Sequence, residues 1–299
     1  MDDAALRLMA FSEVERRVMA FGRPLLWEQI IPTFEFAGHD IYLANRARGI
    51  FKPRQMQRGV LSVKTTVPRE GRDRRYIPDR RDESLIYSFQ GNDANSSDNQ
   101  RLRESFEDRS PFIYFYGVAP GKYEPLWPAC IAGWNPEKLT VEIQISPRES
   151  ATGGGSAIGE DERRYRTHQA KQRVHQAAFR ELVLDAYGGR CALTGFPVRP
   201  LLNAAHIFPD GHLLGIPSVN NGIALSTLHH GAYDSNLIGI SPDGIIHVSD
   251  RLFEETDGPL LEQGLKALKG GTMRFPAEPE LRPDKNALAY RFEGFRSAC

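Results

Sequence analysis

Apolar residues in the first half of the chain follow a helical period once and then a strand period several times. From Asp2 to Phe21, residues such as Leu6, Ala10 and Val14 recur near helical spacing, which predicts an amphipathic helix that ends at Gly22. Short apolar runs separated by turn residues follow, and one further helix is predicted at about residues 99–106. The predicted strands are Gly59–Lys64, Leu85–Phe89, Phe112–Val118 and Leu139–Gln144. Many short strands with few helices predict a curved sheet or a partly open barrel.

The second half of the chain begins with a change of composition. Residues 151–156, Ala-Thr-Gly-Gly-Gly-Ser, have the composition of a linker. A helical pattern then runs from Glu160 to Tyr187, where Gly188-Gly189 is expected to end it. Near the end of the chain, helices are predicted at 260–268 and 286–295. The predicted organisation is a first domain at 1–150, a linker at 151–160 and a second domain at 161–299.

The sequence argues against a membrane-spanning protein and against a disulfide-rich one. A chain of 299 residues suits two domains of ordinary size. No apolar run of about 18 residues could span a membrane, and the charged N-terminal segment is unlike a signal peptide, so we expect a cytoplasmic protein without a membrane partner. Three widely spaced cysteines argue against a disulfide framework.

The charges cancel overall, but they are not evenly mixed. Basic residues crowd the segment from Tyr42 to Arg81, where carboxylates are few. Such a local excess is what contact with phosphates requires, although a solvated surface with scattered arginines has the same composition. The candidate contacts to the DNA backbone are Arg46, Arg48, Lys52, Arg54, Lys64, Arg72, Arg74 and Arg75.

Candidate catalytic chemistry lies between residues 201 and 234. Hydrolysis of a phosphodiester needs a base to deprotonate water and a cation to neutralise the charge that grows on the phosphate. These roles can be supplied by His206, at the end of a predicted strand (201–208, expected to be the second strand of a hairpin), and by Asn221 and His230. A helix is predicted to begin at Thr227 with Ser226 as its cap.

This predicted helix determines which of its side chains share a face. His230 would lie in the first turn, with Asp234 one turn further on the same face. His229 would point about 100° away from His230, so one ion is not expected to bind both histidines.

The order His206, Asn221, His230 resembles an HNH nuclease over roughly residues 188–250. The resemblance implies a ββα-metal fold in which His206 is the general base, Asn221 fixes the loop beside it, and His230 binds a divalent metal, Mg²⁺ or Mn²⁺. The residue before the base usually binds the metal as well, but here it is Ala205. The second protein ligand therefore stays open between Asn203, Asn221 and Asp234.

Many members of that family also bind a structural zinc through two cysteine pairs. The matching positions here are Cys191, Thr194, Ser226 and His229. Because only the first and the last are good zinc ligands, no structural zinc is expected. A nuclease-like fold with purely structural histidines is the alternative.

The first half carries a second resemblance, to the SRA domain. It rests on four short segments: Gly59–Lys64, Arg75–Asp79, Leu85–Ser88 and Asn99–Leu102. The resemblance implies a PUA-like curved barrel that flips a modified cytosine out of duplex DNA. Tyr76, Asp79 and Tyr87 match its pocket, in which two rings sandwich the base and a carboxylate reads the cytosine edge.

Physical chemistry agrees with such a pocket. Two rings replace the lost stacking at about 1 to 3 kcal/mol per base, and a carboxylate accepts from the cytosine N4 amino group while it repels the O4 of thymine. The alternative is that both residues are ordinary barrel tyrosines and that Asp79 is a turn residue after Pro78.

Together the two halves resemble fused SRA and HNH modification-dependent restriction endonucleases. The expected fold class is α+β, with a PUA-like curved barrel followed by a ββα-metal domain and flanking helices. The expected partner is double-stranded DNA that contains 5-methylcytosine or 5-hydroxymethylcytosine, and a homodimer is expected because one such metal site cuts one strand. A reader of methylated DNA with an inactive nuclease domain, and an HNH nuclease indifferent to methylation, are the alternatives.

Overall fold

The computed structural model describes residues 2–67, 85–145, 160–209, 218–256 and 258–298. The chain divides into two compact units, Met1–Ala177 and Ala178–Cys299, and is of the α+β class as expected. The division falls inside a long helix, and most of the predicted linker lies outside the described residues. Among those residues, no helix is both long and apolar enough to cross a membrane.

The first unit combines short helices with a curved sheet. Its helices are α1 (Asp3–Phe21), α2 (Trp27–Ile30), α3 (Ser97–Glu107) and the first part of α4 (Glu160–Ala186). Its strands are β1 (Leu25–Leu26), β2 (Phe34–Phe36), β3 (His39–Ile41), β4 (Ile50–Phe51), β5 (Ser62–Lys64), β6 (Leu85–Ser88), β7 (Phe112–Ala119), β8 (Lys122–Asn135) and β9 (Thr140–Ile145). The four strands, the helix near 99–106 and the two longer helices predicted in the first 190 residues are confirmed, with shifted ends.

Seven strands of the described residues form one sheet in the order β4-β5-β7-β8-β9-β6, and β1 pairs with β8 beside this path. All the neighbours are antiparallel except β5 and β7. The register slips near both ends of β7 and again between Ile131 and Gly133 of β8. Because such bulges bend strands and increase their twist, the sheet curls into a half-barrel.

Helix α1 covers one face of this sheet. Its apolar stripe, which includes Leu6, Ala10 and Val14, is fully buried against residues of the sheet and of α2. A buried arginine from the same helix, Arg17, donates to the carbonyl oxygens of Gln29, Ile30 and Pro32 at 2.7 to 3.0 Å. The guanidinium thus satisfies carbonyls at the end of α2 that have no partner within that helix.

The second unit is built around a two-stranded hairpin with a helix after it. Its strands are β10 (Leu202–His206), β11 (Gly222–Ser226), β12 (Ile238–Ile240) and β13 (Ile246–Val248). Its helices are the end of α4, then α5 (Thr227–Asp234), α6 (Arg251–Glu254), α7 (Pro259–Gly264) and α8 (Lys285–Ala298). The expectation that β10 is the second strand of its hairpin is wrong, because it pairs antiparallel with β11, which follows it.

Helix α4 packs closely across this hairpin. A Cβ atom at Gly222 would lie 2.4 Å from a methyl carbon of Val183 and 2.9 Å from the ring of Phe179, so only glycine fits this contact. From the same helix, Arg180 donates to the carbonyl oxygens of Leu202 at 3.0 Å and Arg199 at 2.8 Å. Arg180 therefore holds the start of β10 to α4. The contact at Gly222, which pairs with His206, holds its end.

A buried cysteine and histidine link the start of the second unit to α5. Cys191 Sγ lies 3.4 Å from Nδ1 of His229, and that nitrogen lies 2.8 Å from Oγ of Ser226. Nε2 of the same histidine donates to the carbonyl oxygen of Gly264 at 2.8 Å. Thr194 also hydrogen-bonds Cys191, so all four positions matched above to zinc ligands form one contact cluster, and the expectation of no structural zinc stays a prediction.

This contact changes the protonation of both side chains. Burial raises the pKa of Cys191, but hydrogen bonds from His229, Thr194 and the backbone at Ser226 outweigh it and lower the pKa to about 6. Burial lowers the pKa of His229, but hydrogen bonds to Cys191 and Gly264 outweigh it and raise the pKa. Both shifts favour a thiolate paired with an imidazolium over two neutral side chains.

This ion pair predicts how the stability of the second unit varies with pH. The pair contributes stability at pH values between the lowered pKa of Cys191 and the raised pKa of His229, where both side chains are charged. It is lost as pH falls through about 6, where the thiolate of Cys191 is protonated. It is also lost at high pH, as the pH rises through the raised pKa of His229.

We expect Cys191→Ala to lower the free energy of unfolding by about 1 to 3 kcal/mol near pH 7.5 and by less near pH 5, because the thiolate that accepts the hydrogen bonds is protonated at the lower pH. Urea unfolding at both pH values measures this difference. Cys130→Ala, at a half-buried cysteine of the first unit, is the matched control. Equal losses at the two pH values would show that the pair is not charged.

Candidate active site

A cleft of about 690 Å³ lies in the second unit, where three elements meet. The end of β10 contributes His206, helix α5 contributes His230 and Asp234, and α8 forms the opposite wall with Tyr290 and Arg291 among others. Two of the three residues predicted to be catalytic therefore line one cleft. The third, Asn221, is buried behind it.

His206 is the last residue of β10 and pairs in register with Gly222. Its half-buried ring stacks on the ring of Phe179 from α4, with centroids 4.1 Å apart and planes inclined by 15°. Because Gly222 lets α4 approach so closely, the aromatic ring can lie flat against the imidazole. The stack restricts the plane of the His206 ring, and the residue lines the cleft.

Asn221 fixes the chain that follows His206. Its Oδ1 accepts from the backbone N–H of Phe208 at 2.8 Å, its Nδ2 donates to the carbonyl oxygen of Phe208 at 3.3 Å, and its own carbonyl oxygen accepts from the N–H of Ile207 at 3.0 Å. Both ends of the carboxamide are therefore engaged by a single residue. This is the bracing that the resemblance implies for the asparagine.

His230 and Asp234 lie one turn apart on α5, as the sequence predicts. Nε2 of His230 is 3.2 Å from Oδ2 of Asp234. The predicted cap is confirmed, because Oγ of Ser226 accepts from the N–H of His229 at 3.3 Å. The two side chains offer one imidazole nitrogen and one carboxylate oxygen, and among the described residues no group of three or more His, Cys, Asp or Glu side chains is placed to hold an ion.

The other two candidates for the second metal ligand are placed differently. Asn203 lies three residues before His206, on the opposite face of the strand and about 10 Å away along it. Its Nδ2 is directed at the hydroxyl of Thr227 at 3.5 Å. The carboxamide of Asn221 is committed to Phe208, and Ala205 is fully buried. Of the three candidates Asp234 lies nearest to His230 along α5, and the identity of the second ligand stays a prediction.

The sequence predicted the helix that became α8, but it left open whether this helix covers the nuclease or joins a dimer. Arg291 donates to the side chain of Asn236 and to the carbonyl oxygen of Tyr233, and its guanidinium lies 4.6 Å from the centre of the Tyr233 ring. It therefore fixes the end of α5 that carries Asp234. No local signal could have revealed this contact, because the two partners are more than fifty residues apart.

In the first unit, the base-pocket prediction can be located only in part. Tyr76 and Asp79 lie outside the described residues, as do Arg72, Arg74 and Arg75. Tyr87 lies on β6, only 5% exposed, and its ring packs edge-on against Tyr114 with centroids 6.2 Å apart. This ring is part of the barrel core, so a stacking role for Tyr87 stays a prediction.

The remaining basic candidates separate into exposed and buried residues. Arg46, Arg48 and Arg54 are exposed, and Lys52 is half-buried with Nζ donating to the carbonyl oxygen of Met56 at 2.7 Å. Lys64 corrects the prediction. It is 6% exposed, donates to the carbonyl oxygens of Asn45 and Arg46, and lies 4.5 Å from the centre of the Trp27 ring. A side chain so enclosed is a structural residue, and we remove it from the DNA-contacting set.

Residues 191–241 match the family model of the HNH endonuclease. No curated protein matches the chain. Among solved structures, the chain is similar to a modification-dependent TagI restriction endonuclease, with 15% sequence identity and a TM-score of 0.32 over 78% of this chain and 81% of that one. That degree of similarity leaves the substrate of this chain open. The family match spans β10, β11 and α5, so the second unit carries an HNH endonuclease domain.

Proposed function

We propose that this protein is a metal-dependent DNA endonuclease that cuts near 5-methylcytosine or 5-hydroxymethylcytosine. The observation that carries the nuclease part is the cleft in which His206, stacked on Phe179, lies beside the pair of His230 and Asp234. The modified-base part rests on the SRA resemblance of Tyr76, Asp79 and Tyr87. The partner is double-stranded DNA, and two copies of the chain would cut its two strands.

The residues of the cleft divide the work of hydrolysis. His206 accepts the proton of the attacking water, and the stack on Phe179 together with the bonds of Asn221 to Phe208 keeps the imidazole in place for that transfer. His230 and Asp234 would hold the divalent ion. Such an ion, when bound, supplies charge neutralisation at the phosphate and at the leaving oxygen.

Two other readings are favoured by particular observations. The burial of Tyr87 favours an HNH nuclease whose first unit only grips the DNA backbone and ignores methylation. Ala205, fully buried where relatives usually place a metal ligand, favours a reader with an inactive nuclease domain. The first would cut unmodified and modified DNA alike, and the second would bind modified DNA without cutting it.

His206→Ala should reduce DNA cleavage by at least about 10²- to 10⁴-fold, the contribution of a general base, while DNA binding persists. Single-turnover cleavage and a gel-shift titration measure the two properties separately. His168→Ala, at an exposed histidine on α4, is the matched control. Unchanged cleavage by His206→Ala would exclude this residue as the base.

Asp234→Ala should raise the Mg²⁺ or Mn²⁺ concentration needed for half-maximal cleavage by at least about 10- to 100-fold, the effect that losing even an outer-shell partner has. The measurement is a metal titration of the cleavage rate. Glu293→Gln, which removes a carboxylate from α8 in the same cleft, is the control. A shift with Glu293→Gln and none with Asp234→Ala would assign the ligand to α8 instead.

Selectivity for modified DNA is tested on one plasmid prepared unmodified, cytosine-methylated and hydroxymethylated. We expect cleavage of the modified forms only, and we expect Asp79→Ala to abolish this preference because no carboxylate then repels thymine O4 or accepts from cytosine N4. Asp73→Ala, in the same segment, is the control. Equal cutting of all three forms by the wild type would leave a nuclease without a base pocket, and binding of modified DNA without cleavage at any metal concentration would leave a reader.

A further inference from the structure

A second cavity, of about 340 Å³, lies within the first unit between α4 and β8. Arg166, Gln169 and Arg173 line it from α4, at spacings of three and four residues that place them on one face of the helix. Arg23, from the turn after α1, lines it from the other side. Three guanidinium groups thus converge on one concave site, which no part of the proposed catalytic cleft uses.

The position of Arg23 is fixed by its neighbours. It forms an ion pair with the buried carboxylate of Glu124 and donates to the carbonyl oxygen of Pro125 at 2.8 Å. Its guanidinium lies 4.8 Å from the centre of the Trp127 ring. The face of α4 is held as well, because the hydroxyl of Thr167 accepts from the N–H of Ile145 at 3.0 Å. The site is therefore built before any ligand arrives.

The charges of the cavity do not cancel. Glu124 is its buried counter-charge, and burial raises the pKa of this carboxyl against the opposing effect of Arg23 and Arg173. Glu162 pairs with Arg166 at 3.1 Å on the exposed side of α4. Among the described residues no carboxylate lies within ion-pair distance of Arg173, and the positive charge of Arg23 acts on it across the cavity. Two cations that repel each other across a cavity are stabilised by an anion that binds between them.

We propose that this cavity is a phosphate-binding site, and that a phosphodiester of the bound DNA strand occupies it. Planar guanidinium groups match phosphate oxygens through paired hydrogen bonds, which a point charge cannot provide. The exposed Arg173 and the half-buried Arg166 leave the site open to a polymer rather than only to a small ion. The DNA assignment rests on the proposed function, whereas the affinity for phosphate does not.

The salt dependence of DNA binding tests the assignment in the full chain. Binding to a fluorescent duplex is measured in EDTA, so that the DNA is not cut, over a series of NaCl concentrations. Each lost phosphate contact should reduce the slope of log K against log salt by about 0.9, so we expect this reduction for Arg173→Gln and for Arg166→Gln. Arg164→Gln removes the same charge about 160° around the same helix and should leave the slope near that of the wild type.

Circular dichroism checks that the variants fold. Arg173→Lys should restore the slope of log K against log salt without restoring the full affinity, because the charge returns but the paired hydrogen bonds do not. A slope changed no more by Arg173→Gln and Arg166→Gln than by Arg164→Gln would overturn the assignment. Calorimetry with sodium phosphate identifies the other source: binding that depends on Arg173, together with an unchanged DNA slope, would mean a site for free phosphate. Plasmid cleavage is read separately, so a chain that binds DNA but never cuts it would refute the nuclease and leave this test intact.

Discussion

The geometry of the proposed catalytic cleft depends on how closely α4 approaches the hairpin at Gly222. Because no side chain stands there, Phe179 and Val183 can pack against the strand backbone, and Phe179 reaches the plane of the His206 ring. The histidine is thereby oriented by a residue of another element rather than by its own rotamer preference. Arg180, the residue after Phe179 on α4, binds the first residue of β10, the strand that ends in His206. The orientation of the proposed base therefore depends on this one packing contact.

The proposed metal ligands are held in a different way. His230 and Asp234 are separated by one helical turn, so their spacing is a property of α5 alone and survives changes elsewhere. What must be fixed from outside is the position of the helix, and both of its ends are tied down. Ser226 and His229 anchor the first turn to Cys191, and Arg291 anchors the last. Loss of a ligand at Ala205 is thus compatible with an ordered pair of ligands on one helix.

Local features of this fold could be predicted from the sequence, and long-range ones could not. The helices α1, α3 and α4 and the Ser226 cap were found because periodicity and capping act over a few residues. The pairing partner of β10 was wrong because hairpin direction depends on which neighbour a strand meets. Lys64 counted as a surface charge until its ammonium was found against Trp27. Likewise, nothing near Arg23 in the sequence indicates that it meets Arg166 and Arg173.

The end of α8 has a practical consequence. Ser297 and Gly294 line the proposed catalytic cleft together with His206, so the last turns of this helix form part of its rim. Any polypeptide attached after Ala298 leaves the second unit at this rim, where the proposed function places a DNA strand. A purification tag or fluorescent protein fused there would compete sterically with the nucleic acid. The same fusion placed before α1 would be attached to the other compact unit of the chain.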